Sequence, residues 1–299
     1  MAPYKKNIPP GKKKIFILIL FLLGFFNCAY CANLPYINKS KIRHSVAPGQ
    51  QAYGEIILDN NTAEVRPMKL YLEDWYYLAS ADGAKEFLPA GTTTRSCVPW
   101  ITFSPSEFTM APFGRQRVSY SIKVPPAAGG AYYAVLFFEC VVGEIGQPTA
   151  KRSAGINVTV RIATLFYVEV EGTTRRTAEL RNLAFRKDSD TAPLTITADF
   201  RNTGNVDITA ATSFHIMDKS GIIHARGQFN NVYLFGGDKA QLVAQWKEVI
   251  PAGKYDFILT CDIGKAQEET GLSRGPVITK EARIEIGPGG EVVRANELK

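Results

Sequence analysis

Three histidines, His44, His215 and His224, are the imidazoles of this 299-residue chain, and so small a number limits general-base and metal chemistry. Two of them flank the turn "DKSG" at residues 218–221. If that turn closes a symmetric hairpin, Met217 faces Ile222 and His215 faces His224. Directly opposed side chains of an antiparallel pair lie about 5 Å apart at Cβ, close enough to share a metal. A zinc centre needs three or four protein ligands, and no third ligand stands at a diagnostic spacing. The pair His215 and His224 is therefore a weak candidate, and the chain is expected to hold no metal and no cofactor.

Other catalytic constellations are missing from the pattern. No serine lies in a G-x-S-x-G elbow. There is no G-x-G-x-x-G and no phosphate-binding P-loop. The only C-x-x-C, "CAYC" at residues 28–31, sits in a segment expected to be removed. Carboxylates are scattered, so no acid pair for glycoside hydrolysis is visible in the sequence. The expectation is a protein without an enzyme's active site.

Net charge of +7 invites a nucleic-acid reading, which the distribution removes. Lys5, Lys6, Lys12, Lys13 and Lys14 cluster at the start, and no acidic residue occurs before Glu55. Without those five, 30 basic side chains face 28 acidic ones. A phosphate-binding groove needs clustered charge that persists in the mature chain. No nucleic-acid partner is expected.

The lysines precede an unbroken apolar run at residues 15–26, "IFILILFLLGFF". A basic segment followed by a run this short has the form of a secretory signal peptide, whereas a spanning helix needs about 20 apolar residues. Residues 1–32 are read as that signal, with Ala29, Cys31 or Ala32 as the last residue removed. An uncleaved anchor, or acylation at Cys28 or Cys31, remains an alternative. The chain is expected to be exported, to the periplasm or the cell surface, with no mature transmembrane segment. Cys97, Cys140 and Cys261 would survive cleavage. Cys97 and Cys140 fall in one expected domain and could form a disulfide in an oxidising compartment; the alternative is a buried thiol at Cys140.

The elements that would position any site have a period of two from Ser45 onward, which marks half-buried strands. "RVSYSIKV" places Val118, Tyr120, Ile122 and Val124 on one face and Arg117, Ser119, Ser121 and Lys123 on the other. "AYYAVLFFECVV" is apolar on both faces, as in a strand covered on both sides. "INVTVRI" turns Ile156, Val158, Val160 and Ile162 one way. Pro, Gly and Asn punctuate the strands throughout, the rhythm of a sandwich. "IPAGKYDFIL" echoes "PAAGGAYYAVL", each bringing a Tyr to the start of a late apolar strand, where it could bond back to the backbone at the corner. The fold class is all-β, with two tandem immunoglobulin-like β-sandwiches at residues 33–163 and 164–287. Residues 288–299 read as a disordered tail.

"SVAPGQQAYGEIILDN", "WITFSPSEFTMAPFGRQRVSYSIKVP", "INVTVRIATLFYVEVEG", "FRNTGNVDI" and "DKSGII" resemble bacterial exported proteins with tandem Ig-like modules. These are related to the periplasmic pilus-chaperone (PapD-like) group, and the resemblance is nearest to the WxL-interacting cell-surface type. It implies a non-catalytic binding or assembly protein whose partner is another secreted or cell-surface protein. Pilus chaperones hold a subunit's C-terminal carboxylate with a basic pair and donate an alternating last strand. Arg43 and Lys151 stand in no pattern that carries those roles over.

Two surfaces are candidate partner sites. Ile156, Val158, Val160 and Ile162 form an alternating strand that could pair with a foreign strand, against the plainer reading of an ordinary final strand. Trp75, Tyr76 and Tyr77, consecutive on a strand, must point alternately, so one could be exposed as a platform for a protein or a cell-wall polysaccharide. The plainer reading there is cover for the following loop. The leading expectation is an exported adaptor; the alternatives are a strand-pairing assembly chaperone and a polysaccharide-binding module.

Overall fold

A computed structural model describes residues 34–145, 156–264 and 276–298. These residues build two β-sandwiches in tandem. In the first, one sheet has the order β1 (Tyr36–Ile37), β3 (Gln51–Asp59), β8 (Arg115–Lys123), β6 (Ile101–Ser104). The other has the order β2 (Lys41–Val46), β10 (Ile156–Val170), β9 (Ala131–Ile145), β4 (Arg66–Tyr77), β5 (Lys85–Leu88), with β7 (Glu107–Met110) also paired to β4. β2 lies parallel to β10, while the other pairings are antiparallel. The cis Ser104–Pro105 bond joins β6 in one sheet to β7 in the other.

Alternation decides which side chains meet. Val118, Tyr120, Ile122 and Val124 are all buried, as the spacing of "RVSYSIKV" predicts. They pack on Leu70, Leu136, Phe138 and Phe166 of the opposite sheet. β9 is covered on both faces: Ala134, Leu136 and Phe138 enter this core, while Tyr133, Val135 and Phe137 enter a second cluster on the outer face.

The second sandwich pairs a sheet β11 (Ala178–Arg186), β12 (Leu194–Asn202), β16 (Lys239–Trp246) with a larger one. The larger sheet has the order β14 (Ile223–Gln228), β13 (Ile208–Met217), β17 (Gly253–Asp262), β18 (Val277–Ile286), β19 (Val292–Glu297), and β15 (Val232–Leu234) pairs β13. Tyr255 donates its hydroxyl to Pro251 O at 2.8 Å, the expected corner bond. In the first sandwich Tyr132 packs on Trp100, with ring centroids 4.2 Å apart, and among the described residues it makes no such bond.

Two expected boundaries differ from the strands observed. Ala163 and Thr164, the expected junction, lie inside β10, paired with Phe137 and Leu136. The strand continues to Val170, and Gly172, at φ 74°, lies in the turn that leaves it. Residues 292–297, expected in a disordered tail, form β19 because a glycine turn sends the chain back onto β18; there Gly287 N–H donates to Glu291 O at 2.9 Å. Among the described residues no helix is long and apolar enough to cross a membrane.

Candidate functional site

The histidine pair does not form. Gly221 sits at φ 86°, and the hairpin carries a register shift between Ile216 and Met217. Met217 therefore faces Ile223, and His215 faces Arg226, whose Nε lies 2.8 Å from His215 Nε2. His224 points instead to Asp218, at 2.8 Å. Asp218 also accepts from Ser220 and His224, which holds its carboxyl below the usual range. Among the described residues no group of three or more His, Cys, Asp or Glu is arranged to hold a metal ion. Cys97 and Cys140 are buried free thiols rather than a disulfide, as is Cys261. Both belong to the first core, where they behave as small apolar side chains.

Trp75 and Tyr77 are not an exposed platform. Their side of β4 is the outer face of the sheet, but the second sandwich covers it, leaving Trp75 1% and Tyr77 8% exposed. Trp75 donates Nε1–H to Ala134 O at 3.1 Å and meets the rings of Tyr77, Tyr133, Tyr167 and Phe235 at centroid distances of 5.1–5.7 Å. Such edge-to-face contacts add about 0.5–1.5 kcal/mol per pair beyond area burial. Tyr76 points the other way, half-exposed, and donates to Glu86.

Beside this cluster lies a buried ion network. Arg43 donates two hydrogen bonds to Asp207, at 2.6 and 3.1 Å, with both side chains 1% exposed. Its guanidinium rests 4.0 Å from the Tyr167 ring centroid. Glu169 accepts from Arg176 at 2.8 Å and lies 3.9 Å from Arg43. Burial pulls the Arg43 pKa down, but Asp207, with smaller effects of Tyr167 and Glu169, more than reverses it. Burial also pushes Tyr77 and Tyr167 well above the usual phenol range, so both stay neutral donors. A third tie is the loop after β4: Ala81 is buried in the second sandwich's core and its carbonyl accepts Tyr233 N–H at 2.9 Å. The mouth of the junction is a cavity of about 810 Å³ rimmed by Arg95, Arg201 and Lys239.

The alternating strand β10 is paired unequally on its two sides. On one side β10 pairs with β9 along its length, from Ile156–Ile145 to Glu169–Ala131. On the other side β2 covers only Leu165 to Val170. The chain arrives where Thr164 Oγ1 donates to Lys39 O at 2.6 Å and Leu165 N–H to Ser40 O at 2.9 Å. Among the described residues, no strand pairs with residues 156–163 on that side. Val160 and Ile162 are opposite Cys140 and Phe138, both core residues, so their side chains face the sandwich interior while remaining only half-buried. Val158, also half-buried, continues the alternation across a bulge. Lys151 lies outside the described residues.

Sequence reading located this strand and the aromatics of β4, and missed Tyr133, Tyr167, Glu169, Asp207, Tyr233 and Phe235 of the junction. Asp207, just before β13, carries no local sign that it meets Arg43.

A scan against protein-family models and a search of curated proteins return no match. Solved structures similar to the chain include the class 5 fimbriae chaperone CfaA, with TM-score 0.47 and 10% identity over 83% of this chain and 98% of that one. The E. coli chaperone DraB matches with TM-score 0.40 and 10% identity over 89% and 98%. A PapD-like domain of human CEP192 matches with TM-score 0.31 and 14% identity over 57% and 96%.

Proposed function

We propose that this is a non-catalytic exported protein that takes up an extended segment of another secreted or surface protein by strand addition along β10, in the manner of an assembly chaperone. The observation that carries the reading is the row of backbone at residues 156–163 beside half-buried Val158, Val160 and Ile162. Strand addition uses both parts of such an edge: the backbone bonds supply affinity, and pockets for alternate side chains supply selectivity. A bare edge is otherwise a liability that folds cover or charge. The lysine-led apolar run at residues 15–26 supports export. Burial of Trp75 and Tyr77 in the junction leaves Tyr76 alone of the three facing outward, so polysaccharide stacking gains no support from it.

The test is hydrogen exchange on residues 33–299 with a synthetic peptide of alternating valine and threonine. Added protection should concentrate at residues 156–163. Val158→Thr with Val160→Thr should weaken uptake while leaving the circular-dichroism melt of the protein in place. Uptake unchanged in that variant, or protection appearing elsewhere, defeats the reading.

A further inference from the structure

The outer face of the first sandwich carries a row of charges that crosses four strands and stops at the side of β10 where, among the described residues, no strand pairs with residues 156–163. Glu107 on β7 is directly opposite Lys69 on β4. Lys69 is opposite Glu139 on β9, and Glu139 is opposite Arg161 on β10. The signs alternate at every step, the arrangement that cross-strand pairing favours, since like charges directly opposite destabilise. Each member lies on the outward face, between core residues: Lys69 between Met68 and Leu70, Glu139 between Phe138 and Cys140.

Arg161 ends the row. Its guanidinium lies 4.6 Å from the Phe137 ring centroid. Nη1 donates to the Tyr71 hydroxyl at 3.3 Å and lies 3.7 Å from Glu73 Oε1. Tyr71 in turn donates to Glu139 at 2.7 Å. Both Arg161 contacts use Nη1, a guanidinium carries five donors, and the side chain is 45% exposed. Within residues 158–164 it is the only charged side chain.

Resting on the strand-addition reading, we infer that Arg161 selects the guest: the incoming strand carries an acidic residue opposite Arg161, flanked on both sides by apolar residues facing Val160 and Ile162. That apolar–acidic–apolar triplet reads the same in either chain direction, so it holds for a parallel or an antiparallel guest. The carboxylate becomes the fifth member of the alternating row.

The experiment uses three peptides of alternating valine and threonine that differ at one central outward position, Glu, Gln or Lys. Their affinities for the wild type, Arg161→Gln and Arg161→Glu are measured by fluorescence anisotropy at low and high salt. In the wild type the order is Glu, then Gln, then Lys, with steps of about two- to five-fold, shrinking as salt rises. Arg161→Gln brings the three together, and Arg161→Glu reverses the order. Circular dichroism confirms that each variant keeps its melt. Equal binding of all three by the wild type overturns the role of Arg161 and leaves strand addition standing. Binding of none of them removes both.

Discussion

Asp207→Ala is the sharpest test of how the two sandwiches are held. Arg43 reaches from the first sandwich and Asp207 from the second, and both are almost fully removed from solvent. Truncating Asp207 leaves the guanidinium inside with Glu169, 3.9 Å away and already engaged by Arg176. Among the described residues Arg43 Nε has no hydrogen-bond partner even in the intact network, so the guanidinium would be left with fewer partners still. Breaking a buried pair from one side costs about 3–5 kcal/mol, or roughly 10²–10⁴-fold in the equilibrium. The assay is urea denaturation followed by tryptophan fluorescence, since Trp75 sits in the same junction. Wild type should unfold in one transition because the Trp75–Phe235 cluster joins the two sandwiches. Asp207→Ala should separate it into two, the first shifted to lower urea. The pair Arg43→Met with Asp207→Leu should recover much of the loss, because apolar replacement of a buried ion pair is often neutral. Asp59→Ala, which breaks the exposed Arg115–Asp59 pair, should leave the curve nearly unmoved. A cost under about 1 kcal/mol for Asp207→Ala, or a double variant as damaged as the single one, would refute the reasoning.

Gly54 lies under Tyr120, whose hydroxyl would stand 2.2 Å from an added Cβ. Gly54→Ala should lower stability by about 1–3 kcal/mol as overpacking, and Tyr120→Phe in the same chain should recover part of it in a thermal melt. His44 Nε2 lies 3.0 Å from the same hydroxyl, and burial, with Lys39 nearby, lowers its pKa below the usual 6.5. The neutral ring therefore stabilises the fold above pH 6.5, and this contribution is lost as pH falls through the folded-state value. Melting temperature should drop from pH 7 to pH 5 in the wild type and drop less in His44→Gln; His215, lowered by burial and Arg226, adds a residue of the same sign to both. Burial raises the pKa of all three thiols, Cys261 to about 11. Iodoacetamide should thus label none of them in the native protein at pH 7.5 and all of them in urea; rapid native labelling of Cys97 would contradict its burial.

What could be read from sequence was what depends on neighbours along the chain. The two-residue period of "RVSYSIKV" names the buried face of β8 without any partner in view, and the Tyr255 corner needs only Pro251 four residues away. The apolar doublets of β9 announced cover on both faces, but not what supplies the second cover. That cover includes Phe235, which stacks on Tyr133 about a hundred residues earlier in the chain. The same gap misplaced Trp75 and Tyr77, since an aromatic that packs on another domain looks identical, in sequence, to one left in solvent. The hairpin shows a finer limit. One glycine in the left-handed region shifts the register, and a one-residue slip changes every opposed pair, so His215 meets Arg226 rather than His224. For β10, alternation at Val158, Val160 and Ile162 was legible; that its pairing with β2 begins only at Leu165 is a property of a partner strand more than a hundred residues earlier.

β10 links the two halves of this account. Its first half presents the open edge and Arg161, while its second half supplies Tyr167 and Glu169 to the junction. An edge that must receive a flexible guest loses affinity if it also has to order itself, because each immobilised side chain costs about 0.5–1.5 kcal/mol. Anchoring the far end of the same strand between β2, β9 and the second sandwich removes that cost in advance. It also fits the parallel lie of β2 at the elbow: there β2 delivers Arg43 to Asp207, and because it begins at Lys41, no strand among the described residues pairs with residues 156–163 on that side. Extending β2 alongside β10 would close the edge; shortening it would cost the Arg43 contact. If β10 receives a guest strand as proposed, the start of β2 at Lys41 meets both requirements at once.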